Sequence, residues 1–330
     1  MKKTIYIFSD GEIHRKQNTI YFEGEKGRKY IPVENTGEML IFGEVTINKK
    51  LLEFFCQTEI ILHFFNHYGY YVGSFYPREH NNSGHMILKQ AEYYLNEEKR
   101  VGLAQRFVIG AVANIKKVLI YYQNRGVDLN NYIQSIAELE SKICAQKTTE
   151  QLMAIEGNIR EQYYKAFDKI FEDPEFEFGE RSKRPPENRL NALISFGNSL
   201  LYVVCLGEIY KTHLDPRIGF LHTTNFRRFT LNLDLAEVFK PIIVDRIIFT
   251  LINKNMIKPD DFYEEANGVF LEDSGRRIFV EEFDKRLSTT IEHPNLGRNV
   301  SYRSLIHLEA YKIEKHLLGE KDYEPFVARW

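Results

Sequence analysis

The hydrophobic period of this 330-residue chain changes once, near Met86, and that change limits the fold more than any other feature. Up to about residue 75, apolar residues come in short runs rich in Ile, Tyr and Phe, bounded by Gly, Asn and Lys: "TIYIF", "NTIYFEG", "RKYIPV", "MLIFGEV", "IILHFF" and "YYVGSF". Runs of this length and content read as β-strands. "TINKKLLEFFCQTE" interrupts them with a short helix, for which Thr46 is the expected cap. From residue 87 onward apolar positions recur at spacings of three and four, the period of a helix. The stretches 87–125, 129–146, 149–171, 187–211, 234–255, 278–290 and 299–318 follow that period, and the charged, Pro-containing 171–188 reads as a loop. The polar "YPREHNNSGHM" at the change of period reads as a linker. The expected fold is therefore α+β: a small β-strand domain over residues 1–76, a linker over 77–86, and a larger all-α-helical domain over 87–330.

Charge and cysteine content remove several functional classes. The 44 Lys and Arg against 46 Asp and Glu give a net charge of −2, so any nucleic-acid surface must be a local patch. Cys56, Cys144 and Cys205 lie far apart and form no CxxC pair, which argues against a zinc ribbon and fits a reduced cytoplasmic protein. The opening "MKKTIYIFSDGEIHRK" has no apolar core of signal-peptide length, and "PIIVDRIIFTLI" is too short and charged to cross a bilayer, so no membrane role is expected. The chain also lacks GxxxxGK[ST], GxGxxG after a strand, HExxH and GxSxG.

Candidate chemistry starts from Glu156 in "TTEQLMAIEGNIREQYYKAF", a helix that Thr148 or Thr149 can cap. Its apolar stripe runs through Leu152, Ile155, Ile159, Tyr163, Phe167 and Ile170, and Glu156 points along the same face. An inward carboxylate needs an ion pair, hydrogen bonds or a metal. Gly157 beside it suggests a close approach to the helix backbone; the alternative is a buried ion pair to an arginine from another helix. In "GFLHTTNFRRFTLNLDLAE", Asp234 and Glu237 have the spacing of a helix N-cap and its third residue, yet they also share one helix face. Pro241 would kink that helix and free a carbonyl. His222 on the preceding loop is either a structural histidine or a ligand. Glu156, His222 and Glu237 could form a one-imidazole, two-carboxylate set that suits Mn²⁺ or Mg²⁺, the imidazole favouring Mn²⁺. Arg181, Lys183, Arg184, Arg189, Arg227 and Arg228 are basic loop residues that could meet DNA phosphates, or simply solvated charges. The set is not specific by itself, since many unrelated chains hold one histidine and two acids.

Four stretches, "LMAIEGNIREQYY", "RPPENRLNALISFGNSLLY", "LDPRIGFLHT" and "LNLDLAEVFKPIIVDRIIFTLI", in this order resemble the CRISPR-associated adaptation integrase family, Cas1. The resemblance spans the chain, by motif in the helical part and by architecture alone in the β-rich start. It implies a metal-dependent DNA endonuclease and integrase that inserts short foreign DNA segments into a CRISPR array by phosphodiester transfer. It implies metal ligands at Glu156, His222 and Glu237, the last a position where relatives also carry Asp, with Asp234 as a supporting catalytic acid and Lys240 as a phosphate contact. It further implies a homodimer, a Cas2 partner protein, and double-stranded DNA with single-stranded or branched ends as substrate. A catalytically silent DNA-binding scaffold and a divalent-metal phosphohydrolase of small substrates are the alternatives.

Overall fold

The computed structural model describes residues 2–77, 81, 83–224, 229–293 and 296–329. The chain divides into two compact units, residues 1–80 and 81–330. The first unit carries two four-stranded sheets. One is built from β1 (Lys3–Ile7), β5 (Thr36–Ile41), β7 (Ile61–Phe65) and β8 (Tyr71–Phe75) in that spatial order, and the other from β4 (Gly27–Ile31), β3 (Thr19–Gly24), β2 (Gly11–Lys16) and β6 (Val45–Thr46). β1, β5 and β7 run parallel, and helix α1 (Lys49–Thr58) makes the crossover between β5 and β7. Ile13 and Ile20 of one sheet, Met39 and Leu62 of the other, and Leu51 and Phe55 of α1 meet in a single core. Two sequence expectations fail here. Asn48, not Thr46, caps α1, by accepting the Leu51 amide. β2 was not expected, because "GEIHRK" buries only Ile13; its pairing with β3 and β6 makes it a strand.

Helices dominate the second unit: α2 (Gly84–Leu95), α3 (Glu97–Gln123), α4 (Asn130–Glu140), α5 (Thr149–Lys165), α6 (Phe167–Phe171), α7 (Arg189–Tyr210), α8 (Leu231–Phe239), α9 (Arg246–Asn253), α10 (Asp273–Ser288) and α11 (Tyr302–Leu317). The single helix expected over 87–125 is two, because Asn96 ends α2 and caps α3 through the Lys99 amide, and α2 itself begins inside the expected linker. Two short hairpins also lie among the helices, β9 (Phe262–Glu265) with β10 (Gly268–Leu271) and β11 (Thr290–His293) with β12 (Arg298–Ser301), so this unit is helical without being all-helical. Among the described residues α7 alone is long and apolar enough to cross a membrane, and 83% of its apolar stretch is buried within the protein.

The segment after α11 crosses α3 as extended chain and is fastened there. Asn114 is fully buried on α3; its amide nitrogen donates to the Val238 carbonyl at 2.8 Å and the Phe326 carbonyl at 2.9 Å, and its oxygen accepts the Ala328 amide at 2.9 Å. Gly110 one turn earlier leaves room for Pro325, whose Cβ would lie 2.5 Å from a Cβ at that position. The Phe326 ring stacks on Phe239 with centroids 6.0 Å apart.

Gly157 behaves differently. Nothing lies within 4 Å of a Cβ built there, so the close approach expected from its place in α5 does not occur. An exposed glycine inside a helix costs conformational entropy without compensation. Gly157→Ala should therefore stabilise the protein by about 0.5–1 kcal/mol in urea unfolding; a loss of stability would show a contact at that face.

Candidate metal centre

Helix α5 starts where expected, because the Thr148 side chain accepts the Gln151 amide. Leu152, Ile159 and Tyr163 are buried, and the Glu156 carboxylate on the same side keeps 15% exposure. One turn later Arg160 is buried, and its Nε donates to Glu156 Oε1 at 3.0 Å. The buried ion pair weighed for Glu156 thus exists, with the arginine supplied by the same helix and not by another.

Helix α8 starts at Leu231, so Asp234 lies inside its first turn and does not cap it. The reason is a better use of the carboxylate. Asp234 is fully buried; its Oδ2 accepts the Phe220 amide at 2.5 Å and the Leu221 amide at 3.0 Å, and its Oδ1 accepts the His222 amide at 2.9 Å. The loop can wrap this tightly because residue 219 is glycine: a Cβ there would stand 2.7 Å from the Thr230 carbonyl carbon. The same Oδ1 faces His222 Nδ1 at 2.8 Å. Burial pushes the His222 pKa down, but the hydrogen bond and charge of Asp234 outweigh it and the pKa is raised. With Nδ1 held by Asp234, Nε2 is the ring nitrogen left for other work.

Glu237 does not reach back to the helix start either. Its Oε2 accepts Arg160 Nη2 at 2.7 Å, and its Oε1 accepts the Lys240 amine. Its backbone carbonyl accepts the same Arg160 nitrogen at 3.2 Å. In a continuous helix that carbonyl would bond the amide four residues on, and that residue is Pro241, which has none. The freed carbonyl expected from the sequence is present, and Arg160 takes it. The helix then widens into a π turn over Pro241–Asp245, in which the Asp245 amide donates to the Lys240 carbonyl at 3.1 Å. Such turns often mark functional sites.

The centre buries more carboxyl groups than cations. Glu156, Glu237 and Asp245 stand against Arg160 and Lys240. Burial first, then the charge of Glu237, raises the Glu156 pKa against the pull of Arg160 and Lys240. For Glu237 burial also opposes ionisation, but Lys240, Arg160 and His222 overcome it and its pKa lies far below the usual carboxylate range. Asp245 is fully buried, with Arg160 Nη1 at 3.9 Å from its Oδ2; burial outweighs that charge and lifts its pKa from 3.8 to about 7. Lys183, on the loop before α7, has its pKa lowered by desolvation first and by Arg181 and Lys240 next, while Glu156 and Glu237 oppose the shift. That loop therefore brings cationic groups up to the site.

The residues expected to act are not all brought together alike. Arg160 joins Glu156 to Glu237, the 219–222 loop joins His222 to Asp234, and one turn of α8 links the two pairs. Among the described residues, no three of His, Cys, Asp and Glu stand close enough to form a ready cation-binding cluster. Lys240, expected on DNA phosphate, is instead buried on Glu237 and faces the Tyr202 ring at 5.0 Å. Arg189 pairs with Glu175 at 2.6 Å, and Arg184 is exposed, with a positive φ of 59°. Arg227 and Arg228 lie outside the described residues.

The family model for CRISPR associated protein Cas1 matches residues 5–285. The chain belongs to the Cas1 family. It is 62% identical over 330 residues to CRISPR-associated endonuclease Cas1 2 of Thermodesulfovibrio yellowstonii, and the match covers 100% of both chains. A solved Cas1 protein of Thermotoga maritima superposes with a TM-score of 0.89 at 48% identity, over 97% of this chain and 98% of that one. A casposase solved with its integration product shares the fold, with a TM-score of 0.88 at 21% identity, over 100% of this chain and 96% of that one. As a Cas1 family member the chain is a nuclease-class enzyme, and the silent-scaffold and small-substrate readings fall away.

Sequence reasoning missed three members of this centre: Arg160, Tyr163 as a polar neighbour, and Asp245. Arg160 was findable, since it stands four residues after Glu156, the spacing of an ion pair on one helix face. Asp245 was not, because only the π turn sets its direction. Its pH dependence follows from its pKa. In the folded protein Asp245 stays protonated up to about 7, whereas the unfolded chain releases that proton near 3.8. The folded state thus binds more protons between these values, so stability falls as pH rises through that window and then levels off. The loss is on the order of 4 kcal/mol. Thermal melts of Asp245→Asn should gain on wild type at pH 8 relative to pH 5; equal gains at both pH values would show that Asp245 is not held neutral.

Proposed function

We propose that this chain cuts and joins DNA by divalent-metal-assisted phosphodiester transfer, inserting short foreign DNA segments into a CRISPR array. The reading rests on one observation: a buried cluster of carboxyl groups beside an imidazole whose Nδ1 another carboxylate holds. That donor set fits a divalent cation. Two carboxylates supply hard oxygen, the imidazole favours Mn²⁺ over Mg²⁺, and a histidine backed by a carboxylate is the usual form of a metal-binding histidine.

Glu156 and Glu237 would hold the metal through their carboxylates and His222 through Nε2. Asp234 fixes the His222 ring by hydrogen bonding Nδ1 and the loop amides. Bound there, a divalent cation polarises a phosphate and stabilises charge on the attacking or leaving oxygen. The 3′-hydroxyl of an incoming strand is the nucleophile for joining, and water gives cleavage. Lys240 keeps Glu237 ionised in its buried place. Exposed Arg184 and Lys183 on the loop before α7 would meet the DNA backbone, and Arg189 would do so by leaving Glu175. Because the net charge is only −2, tight DNA binding calls for a concentrated basic surface, which a homodimer and a Cas2 partner would supply. We place this work in the cytoplasm.

Glu156→Gln and His222→Ala should each abolish Mn²⁺-dependent strand joining on a plasmid that carries the repeat, with melting curves showing an intact fold. Asp234→Asn should lose roughly 10–100-fold in metal affinity. Because the His222 pKa is raised and only the neutral ring can bind metal, joining should fall on the acid side. Full joining by either of the first two variants would sink this reading.

A further inference from the structure

Around one guanidinium, Arg160 Nη1 is buried with no hydrogen-bond partner, and Asp245 and the Tyr163 hydroxyl are buried with no more than a weak contact to each other. About nine in ten or more buried polar groups in folded proteins are paired, so a poorly paired cluster in one place calls for a cause. Arg160 uses only one edge of its guanidinium. Nε and Nη2 along that edge hold Glu156 and Glu237, while Nη1 stops 3.9 Å short of Asp245. The distance is an ion pair and lies outside hydrogen-bonding range. On the other side, both oxygens of Glu237 already accept a cation, one from Arg160 and one from Lys240.

We propose that Arg160 is a positioning residue with two seats, and that its guanidinium passes from Glu156 and Glu237 to Asp245 and Tyr163 when a divalent cation takes the carboxylates. The inference rests on the metal-centre reading above. A dication cannot settle beside a buried guanidinium and a buried amine without strong like-charge repulsion. Nor can a buried arginine simply let go, because an unpaired buried charge is strongly destabilising. Asp245 resolves both problems. It lies fully buried, with the Arg160 guanidinium still 3.9 Å away and the Tyr163 hydroxyl beside it as a weak partner. The π turn fixes it there through the Asp245 amide bond to the Lys240 carbonyl. Besides Arg160 and Tyr163, the groups that act on Asp245 are Lys240, which favours its ionised form, and Glu237, which opposes it. A dication held by Glu156 and Glu237 would offset that opposition. The guanidinium then trades one set of carboxylates for another with no change in its own charge. Arg160 keeps all its protons, while Asp245, which holds a proton up to about pH 7, releases it to solvent as the guanidinium seats, its O–H bond breaking with the electron pair left on oxygen.

Mn²⁺ titration of the whole protein without DNA, read by the electron spin resonance of free Mn²⁺, separates the possibilities. Wild type should bind and His222→Ala should not. Asp245→Asn should bind about tenfold more weakly, in the range of groups that orient metal ligands. Tyr163→Phe, which keeps the packing, should weaken binding in the same direction. Arg160→Gln should bind at least as tightly as wild type, since the competing cation is gone. In the Arg160→Gln background, adding Asp245→Asn should change affinity by less than about twofold, because the effect runs through the arginine. If His222→Ala loses binding while Asp245→Asn keeps wild-type affinity, the two-seat inference fails and the metal centre stands. The inference also fails if the Asp245→Asn loss persists undiminished without Arg160. If wild type does not bind Mn²⁺, or His222→Ala binds as well as wild type, both readings fail.

Discussion

One buried guanidinium organises the helical unit. Arg160 touches α5 and α8 at their acidic positions together, through Glu156 on one side and the side chain and carbonyl of Glu237 on the other. Its place depends on a missing atom in the partner helix. Pro241 has no amide hydrogen, so the Glu237 carbonyl is open to an outside donor. Removing Arg160 would leave both a carboxylate and a carbonyl short of partners inside the protein, which costs more than the pair contributes when intact.

Asp234 does for the loop what Arg160 does for the helices. Three successive amides and an imidazole converge on two oxygens, so the loop is fixed at the position where His222 meets α8. Charge-assisted hydrogen bonds of this kind are about twice as strong as neutral ones. The arrangement also explains why the acid sits inside the helix. At the N-cap its oxygens would have been used on amides of α8 itself.

Much of this was legible in the sequence. The change of period near Met86 separates strands from helices because burial on a sheet and burial on a helix demand different spacings. Glu156 was legible as a residue in need of a partner, because a carboxylate on an apolar stripe must be paired, and Arg160 pairs it. What stayed hidden depends on three dimensions. "GEIHRK" is a strand through its neighbours' hydrogen bonds and not through its own pattern. The D-x-x-E spacing of Asp234 and Glu237 matches a capping box, and tertiary partners overrode it. Asp245 points to Arg160 only because five residues, not four, close the turn before it. The identity of Arg160's helix was misjudged for a simpler reason: the alternative weighed was a partner from another helix, while the same helix already offered one at four residues.

The Asn114 hub carries a consequence for the order of assembly. One amide on α3 bonds the carbonyl of Val238, the neighbour of Glu237, and also the backbone at Phe326 and Ala328. Helix α8 therefore receives its last brace from residues translated some ninety positions later. During synthesis, α5, the His222 loop and α8 all leave the ribosome before that brace exists. The acidic centre therefore gains this brace only after the segment around Phe326 has been made, and a chain lacking that segment would hold α8 without it.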